Sequence, residues 1–486
     1  MSKLVKSTII YTLGEFLPRI FSIVFLPVFT TYLSSTDYGI LSYTGSFMVF
    51  LYVLIALSLN SFLLRKYYEY KTEEERKSLI GNVAFVITVS NVLVLAVAFL
   101  MGPYLCEKVN IKVSFYPYFS LSLINNFIDV FAIVPLVVFR IMEKPTQYVL
   151  LNIGRNVVPY IITYYLLVYL QWGILSFYYG KLFINLVFIV PILYITYNNS
   201  TFSISKKLIK EGLKFSVPLI PGSIAYLVMS ISDRIIMERY ISLSLIGIYS
   251  IAYTLAFSLN MLIQSGYRAF EPEIFKKFGQ ESFSSFIESL HKIFMFVIFT
   301  LAIALSLFSK EILQILTNGD FIKGYTLVPI IITGVLLSAE NAILGSLAVA
   351  EKKTKLIMYS TVLGAAFSFL VNIMLMHYIG YYSAALATIV SFLTMNIIIF
   401  VGLEYKLYSI KYDFAAYLTY AILSAFATLF ITQLSLGFVY VTSLKFLILL
   451  LSSGLLSYFY KIRFSQVKNM VLIPLINHLP FTQFKK

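Results

Sequence analysis

Phe215–Tyr240, FSVPLIPGSIAYLVMSISDRIIMERY, is an apolar stretch of membrane-crossing length. It opens on two prolines, Pro218 and Pro221, and closes on Asp233, Arg234, Glu238 and Arg239. Proline breaks a helix in water. In a bilayer it is tolerated where a neighbouring helix or a wet cavity takes up the freed backbone groups. Ionisable residues inside a span cost about 2.5–3.5 kcal/mol each at its centre on insertion scales, so they face a cavity or a partner. A helix with both features belongs to a bundle that encloses polar space.

The rest of the chain has the same character. Its 486 residues are 59% hydrophobic and only 12% charged, against about 25% charged in a soluble domain. The apolar runs are long, which predicts an all-α, polytopic membrane protein rather than a barrel of short alternating strands. One cysteine, Cys106, excludes an internal disulfide and a cysteine metal cluster. The three histidines, His291, His377 and His478, are far apart and read as interfacial or loop residues. Lys3 and Lys6 precede an apolar run too long for a signal-peptide core, which predicts a retained first span.

Fourteen spans are expected, at roughly 7–33, 38–64, 79–102, 114–141, 148–170, 173–197, 215–240, 244–268, 287–308, 325–350, 356–378, 382–404, 412–434 and 438–461. With the N-terminus cytoplasmic, 27 of the 37 Lys and Arg residues fall in inner segments and 4 in outer ones, and 6 lie within spans. This asymmetry predicts both termini inside, and it explains the net charge of +15 without nucleic acid. No loop has room for a soluble catalytic domain.

A shift of 208 residues lays Tyr32 on Tyr240, Gly39 on Gly247 and Ser42 on Ser250. The same shift lays Glu143-Lys144 on Glu351-Lys352 and Thr146 on Thr354. Spans 1–6 and 7–12 therefore read as two copies of a six-helix unit, inserted the same way up and facing a central cavity. The expected organisation is a six-helix lobe over 1–200, a second over 201–410, two additional spans over 411–463, and a cytoplasmic interfacial tail over 464–486.

Several stretches carry a family likeness. They are Asp37-Tyr38-Gly39-Ile40-Leu41-Ser42, Arg65-Lys66-Tyr67-Tyr68, Gly247-Ile248-Tyr249-Ser250-Ile251-Ala252-Tyr253, Tyr267-Arg268-Ala269-Phe270-Glu271-Pro272, Glu351-Lys352-Lys353-Thr354-Lys355 and Ala384-Ala385-Leu386-Ala387-Thr388. In this order the chain resembles Wzx-type flippases of O-antigen or capsule repeat units. These belong to the multidrug/oligosaccharidyl-lipid/polysaccharide exporter superfamily. It departs from them at Met376-His377, where many relatives carry proline. The resemblance implies two lobes in a V that alternates between inward- and outward-open states in the bacterial cytoplasmic membrane. It also implies a substrate, an undecaprenyl-pyrophosphate-linked oligosaccharide, and polysaccharide polymerase and other assembly proteins as partners.

A pyrophosphate needs cations in a desolvated place, and an Arg fork suits its oxygens. Four intramembrane cations are candidates: Arg19, Lys181, Arg155 and Arg234. Three of them have a structural alternative. Arg19 could pair with Glu15 one turn away, and Arg155 could snorkel to the inner face. Arg234 could close an ion-pair cluster with Asp233 and Glu238. Arg239 and Lys445 read as interfacial snorkellers. Asp129 and Glu340 lie deep and at related places in the two copies. They could carry H+ or Na+, or make helix–helix hydrogen bonds through Asn125, Asn126 or Asn341. No catalytic residue, metal site or bound cofactor is expected. A cation-coupled drug or small-molecule antiporter of the same superfamily is the alternative function, and a membrane polymerase or acyltransferase a remoter one.

Overall fold

The structure, a computed structural model, describes residues 3–201, 203–403, 414–431 and 438–461. All regular structure in these residues is helical. Packing divides the chain into two compact units. The first runs from Met1 to Ser250 with the short segments Gln314–Ile322 and Leu375–Tyr381, and the second holds the rest.

The first unit contains α1 (Lys3–Val24), α2 (Leu26–Tyr32), α3 (Ser35–Ala56), α4 (Leu59–Lys66), α5 (Glu73–Lys108), α6 (Ser120–Val130), α7 (Ile133–Ile141), α8 (Pro145–Asn156), α9 (Val158–Val168), α10 (Leu175–Asn198), α11 (Lys206–Ser216), α12 (Ile220–Tyr240) and the head of α13 (Leu243–Lys277). Proline positions explain several breaks. Pro27 starts α2, which bends by 40° from α1, and Pro159 starts α9 just after α8 ends. Caps fix the polar starts. Ser34 and Asp37 close a capping box at the head of α3, and Thr72 and Glu75 do the same for α5.

Two larger packed clusters, with a smaller one around Ala132, Phe139 and Tyr148, hold this unit together. One joins the ends of α3 and α4 to α5 and α7 through Leu59, Leu63, Leu79, Ile80 and Val138. The other, richer in aromatics, joins α2, α3, α6 and α10 through Phe29, Tyr43, Leu121 and Tyr178. Small residues bring α3 against α13. A Cβ on Gly39 would strike the Leu243 carbonyl, and one on Gly247 the Ser35 carbonyl, so only glycine permits this approach. Ser42 and Ser250, related by the 208-residue shift, share a hydrogen bond of 2.6 Å beside it.

The second unit contains the remainder of α13, α14 (Phe283–Leu307), α15 (Ser309–Leu316), α16 (Val328–Ala350), α17 (Thr354–Ile379), α18 (Tyr382–Gly402), α19 (Phe414–Leu429) and α20 (Phe438–Phe459). The central α16 packs on α14, α18 and α19. Tyr420 of α19 donates to the Pro329 carbonyl at 2.8 Å and lies 2.8 Å from Ser306. Lys445 of α20 is not an interfacial snorkeller. It is fully buried and donates to both oxygens of Glu311 at 2.6 and 2.8 Å. Insertion scales make such a charge costly, and a partner at this range offsets the cost.

The described residues hold eleven helices long and apolar enough to cross a membrane, or twelve with the bent α1–α2 pair. Two expected spans are not among these helices. The run 148–170 is α8 and α9, parted at Val157 ahead of Pro159. The run 412–434 holds the 16-residue α19 and extends past the described residues. The tail 464–486 lies outside them altogether.

Candidate functional site

Arg155, Lys181 and Asp129 form one cluster inside the first unit. Arg155 Nη2 donates to Asp129 Oδ1 at 2.6 Å and to the Asp129 backbone carbonyl at 2.9 Å. Lys181 Nζ lies 3.2 Å from the same Oδ1 and donates to the Arg155 carbonyl at 3.0 Å. The local sequence makes these acceptors available. Residue 159 would normally donate its N–H to the carbonyl of residue 155, but it is proline, so that carbonyl is left for Lys181. On α1, Pro18 likewise frees the Gly14 carbonyl, and Asn152 of α8 donates to it at 2.9 Å. Two prolines thus generate two interhelical hydrogen bonds around one site.

Two cations against one carboxylate leave the cluster with a formal charge of +1. Arg155 is buried at 7% side-chain exposure, while Asp129 and Lys181 keep 26% and 24%. Arg155 Nε is buried without a hydrogen-bond partner, an unused donor of a group that presents five. Tyr52 of α3 is within electrostatic reach of Arg155 and Asp129. A net-positive, partly open, partly unsatisfied cluster can hold an anion. It contains no nucleophile–base pair. Among the described residues there is no group of three or more His, Cys, Asp or Glu that could bind a metal.

The other candidates lie elsewhere. Arg234 is in a closed network. Nη1 is 3.0 Å from Asp233 Oδ1, Nε donates to Ser42 at 3.1 Å, and the guanidinium carbon stands 5.5 Å from the Tyr249 ring centroid. Tyr249 donates to the second Asp233 oxygen at 2.5 Å. Glu238 is not the third member of that cluster: it accepts from the Lys112 backbone N–H at 2.6 Å. Lys112 Nζ also donates to the Glu238 and Ile241 carbonyls, a cation at the C-terminal end of α12. Arg19 is exposed on α1. Glu15, the partner expected for it, lies 3.6 Å from Arg140.

Glu340 does not bond through Asn341, which donates instead to Asn396 at 2.9 Å. Its carboxylate is 2.8 Å from Nε2 of His291 on α14. His291 is therefore a buried core residue and not a loop or interface residue. Asn125, near Asp129, is also used elsewhere. Asn125 donates to the Tyr178 carbonyl at 2.9 Å and accepts from Asn185 at 3.0 Å.

The sequence offered one overlooked signal for the Asp129 cluster. Asp129 and Arg155 are 26 residues apart, and so are Arg155 and Lys181. In successive antiparallel spans, equal spacing across two turns returns the chain to one depth. Nothing comparable marked His291.

A family model described as "Polysaccharide biosynthesis protein" matches residues 4–278, more than half of the chain. The chain belongs to the polysaccharide biosynthesis protein family. Among individual relatives, "Lsg locus putative protein 1" of Haemophilus influenzae is 23% identical over 372 residues, covering 74% of this chain and 88% of that protein. An "Uncharacterized membrane protein" of the same organism is 21% identical over 295 residues, covering 60% and 69%. Among solved structures, "Lipid II flippase MurJ, inward closed conformation" matches with a TM-score of 0.71 at 14% identity, over 93% of this chain and 99% of that one. An inward-facing MATE multidrug transporter of the MOP superfamily matches with a TM-score of 0.64 at 13% identity, over 82% and 98%. The chain is thus an all-α polytopic membrane protein with the MOP-superfamily transporter fold, as its Wzx-like stretches implied.

Proposed function

We propose that this protein is a flippase for undecaprenyl-pyrophosphate-linked oligosaccharide repeat units. It moves them by alternating access from the cytoplasmic to the outer leaflet of a bacterial cytoplasmic membrane, for surface polysaccharide assembly. The observation that carries this reading is the net-positive Asp129–Arg155–Lys181 cluster in a member of the polysaccharide biosynthesis family. A diphosphate is the charged part of such a substrate. Arg155 and Lys181 are its proposed ligands, with Asp129 holding both in place, while the polyprenyl tail stays in lipid. Arg19, exposed on α1, is a further proposed contact. Arg234 is proposed as structural because its donors are already engaged. The likeness to MurJ, by name a lipid II flippase, fits this class.

The reading includes fourteen spans, both termini cytoplasmic, and two six-helix lobes over 1–200 and 201–410, followed by two added helices. Polymerase and other assembly proteins would act on the product. The MATE likeness supports one second reading, a cation-coupled small-molecule antiporter.

The test is transport of a polyprenyl-pyrophosphate oligosaccharide in reconstituted vesicles by the parent, Arg155→Lys and Lys181→Gln. Arg155→Lys keeps the charge and loses the fork. Parent transport, with at least a tenfold loss in both folded variants, is the expected result. Transport unchanged in both would remove the cluster from substrate binding. No transport of the lipid under any ion gradient, with exchange of small organic cations, would replace the flippase with the antiporter.

A further inference from the structure

The helix α11 takes no part in the Asp129 cluster or in the buried ion pairs. Its sequence, KKLIKEGLKFS, puts four lysines into 11 residues. Lys206, Lys210 and Lys214 recur every four residues, and Lys207 lies seven before Lys214. At about 3.6 residues per turn all four fall within about 100° of the circumference, along about 12 Å of the axis. All four are exposed. Among the described residues none of their side chains has an ion pair or a hydrogen bond.

The opposite face of α11 is packed on protein. A Cβ on Gly212 would come within 3.1 Å of the Phe62 ring of α4. Phe215 meets Phe62 at 5.8 Å between ring centroids, and Leu208 and Ile209 face Leu79 and Val83 of α5. Both ends are tied down. The Ser205 backbone N–H donates to Asn82 at 2.8 Å, and the Ser216 hydroxyl to the Ser58 carbonyl at 3.4 Å. The one acid, Glu211, is on the α4 side, 2.6 Å from Lys66. What α11 turns away from the protein is therefore a strip of four ammonium groups with no carboxylate of its own to neutralise it.

Depth decides which anion the strip meets. Through the Val217–Leu219 turn, α11 and α12 form one 35-residue apolar stretch. Val217 and Leu219 at that turn are exposed, as is Ile204 just before the helix. Leu59, Phe62, Leu79 and Val83, on which α11 packs, belong to the ends of the expected spans 38–64 and 79–102. The strip thus lies at the level of lipid headgroups, where lysine stems run along apolar surface and their ammonium ends reach the phosphates. A soluble acidic partner would have to displace headgroups to reach this level, whereas lipid phosphates are already there. Basic segments beside a span attract anionic lipids for this reason.

We infer that the Lys206–Lys207–Lys210–Lys214 strip of α11 binds anionic phospholipid headgroups, in the inner leaflet of the proposed topology. These lipids are not cargo. They cover the outward face of a helix whose other face is fixed to α4 and α5, just ahead of α12. The inference goes beyond the transport reading and does not need it.

The test is lipid selectivity of the full chain in phosphatidylcholine vesicles. Electron spin resonance reads the association of spin-labelled phosphatidylglycerol relative to spin-labelled phosphatidylcholine. The parent should prefer phosphatidylglycerol by roughly threefold or more. Lys206→Gln, Lys207→Gln, Lys210→Gln and Lys214→Gln together should remove most of that preference, and the same four changed to Arg should keep it. A control removes equal charge from exposed lysines elsewhere on the same proposed side, as Lys71→Gln, Lys276→Gln, Lys352→Gln and Lys355→Gln. It should keep most of the preference. Equal losses in the two Gln variants would overturn the strip as a binding site and leave a general attraction between a basic protein and anionic lipid. An unchanged preference without the four α11 lysines would also overturn it. Displacement of phosphatidylglycerol from the parent by a trace of polyprenyl diphosphate would reassign the strip to substrate docking. No phosphatidylglycerol preference, with lysine-dependent binding of soluble polyglutamate, would replace the lipid with an acidic protein. Failure of the parent to move an oligosaccharide lipid would remove the flippase and leave this lipid selectivity standing.

Discussion

At the scale of the residue, Asp129, Arg155, Lys181, Arg234, Glu340 and Lys445 are deep polar groups that each meet a specific neighbour. Lys445 tests how such matching works. Lys445→Ala would leave Glu311 facing an apolar contact, and removal of one partner from a buried pair costs about 3–5 kcal/mol. Replacing both, as Lys445→Met with Glu311→Leu, should be neutral or stabilising by about 1–4 kcal/mol. Thermal unfolding in a single detergent would compare the two. Equal destabilisation by the single and double variants would mean the pair is needed for more than mutual neutralisation. The charges themselves were legible in the sequence, since Asp, Glu, Lys and Arg stand out in apolar runs. Their partners were less so. Asp129 and Arg155 both stood out, yet their pairing depends on which helices are neighbours. His291 was misread because a lone histidine near a helix end has no local feature that distinguishes core from interface.

At the scale of the element, proline and glycine have roles that their spacing suggested only in part. Pro18 and Pro159 break ladders and thereby supply the carbonyls that Asn152 and Lys181 use. Gly39 and Gly247 allow α3 and α13 to meet backbone to backbone. Gly39→Ala should separate these helices and break the Ser42–Ser250 hydrogen bond, at an overpacking cost of about 1–3 kcal/mol. The check is a cross-link between cysteines placed at Ser42 and Ser250 in a Cys106→Ser background. It should form rapidly in the parent and at least tenfold more slowly with Ala at residue 39. Equal rates would show that the approach does not depend on glycine. The Asp37-Tyr38-Gly39 stretch that looked like a family signature has a physical content here. Asp37 closes the α3 capping box, Tyr38 meets Phe321 edge-on at 5.1 Å between centroids, and Gly39 allows the close approach.

At the scale of the whole molecule, the proposed fourteen spans and the loop charges make one prediction about topology. In the Cys106→Ser background, an impermeant maleimide applied to intact cells should label Gln171→Cys and leave Ser282→Cys and Lys461→Cys unlabelled until the membrane is opened. Labelling of Lys461→Cys from outside would break the fourteen-span count at its C-terminal end. By itself the sequence determined the class, the approximate spans, the family likeness and which residues carry charge where charge is costly. Those follow from hydropathy, charge and local wording, which act along the chain. The tertiary structure decided where helices break and which charges meet. It placed Asp129 between Arg155 and Lys181, enclosed Arg234, and drew His291 to Glu340. The reason is that a lipid environment specifies how much of a helix must be apolar, but not which neighbour receives each polar group. That choice is made by packing between residues remote in the chain.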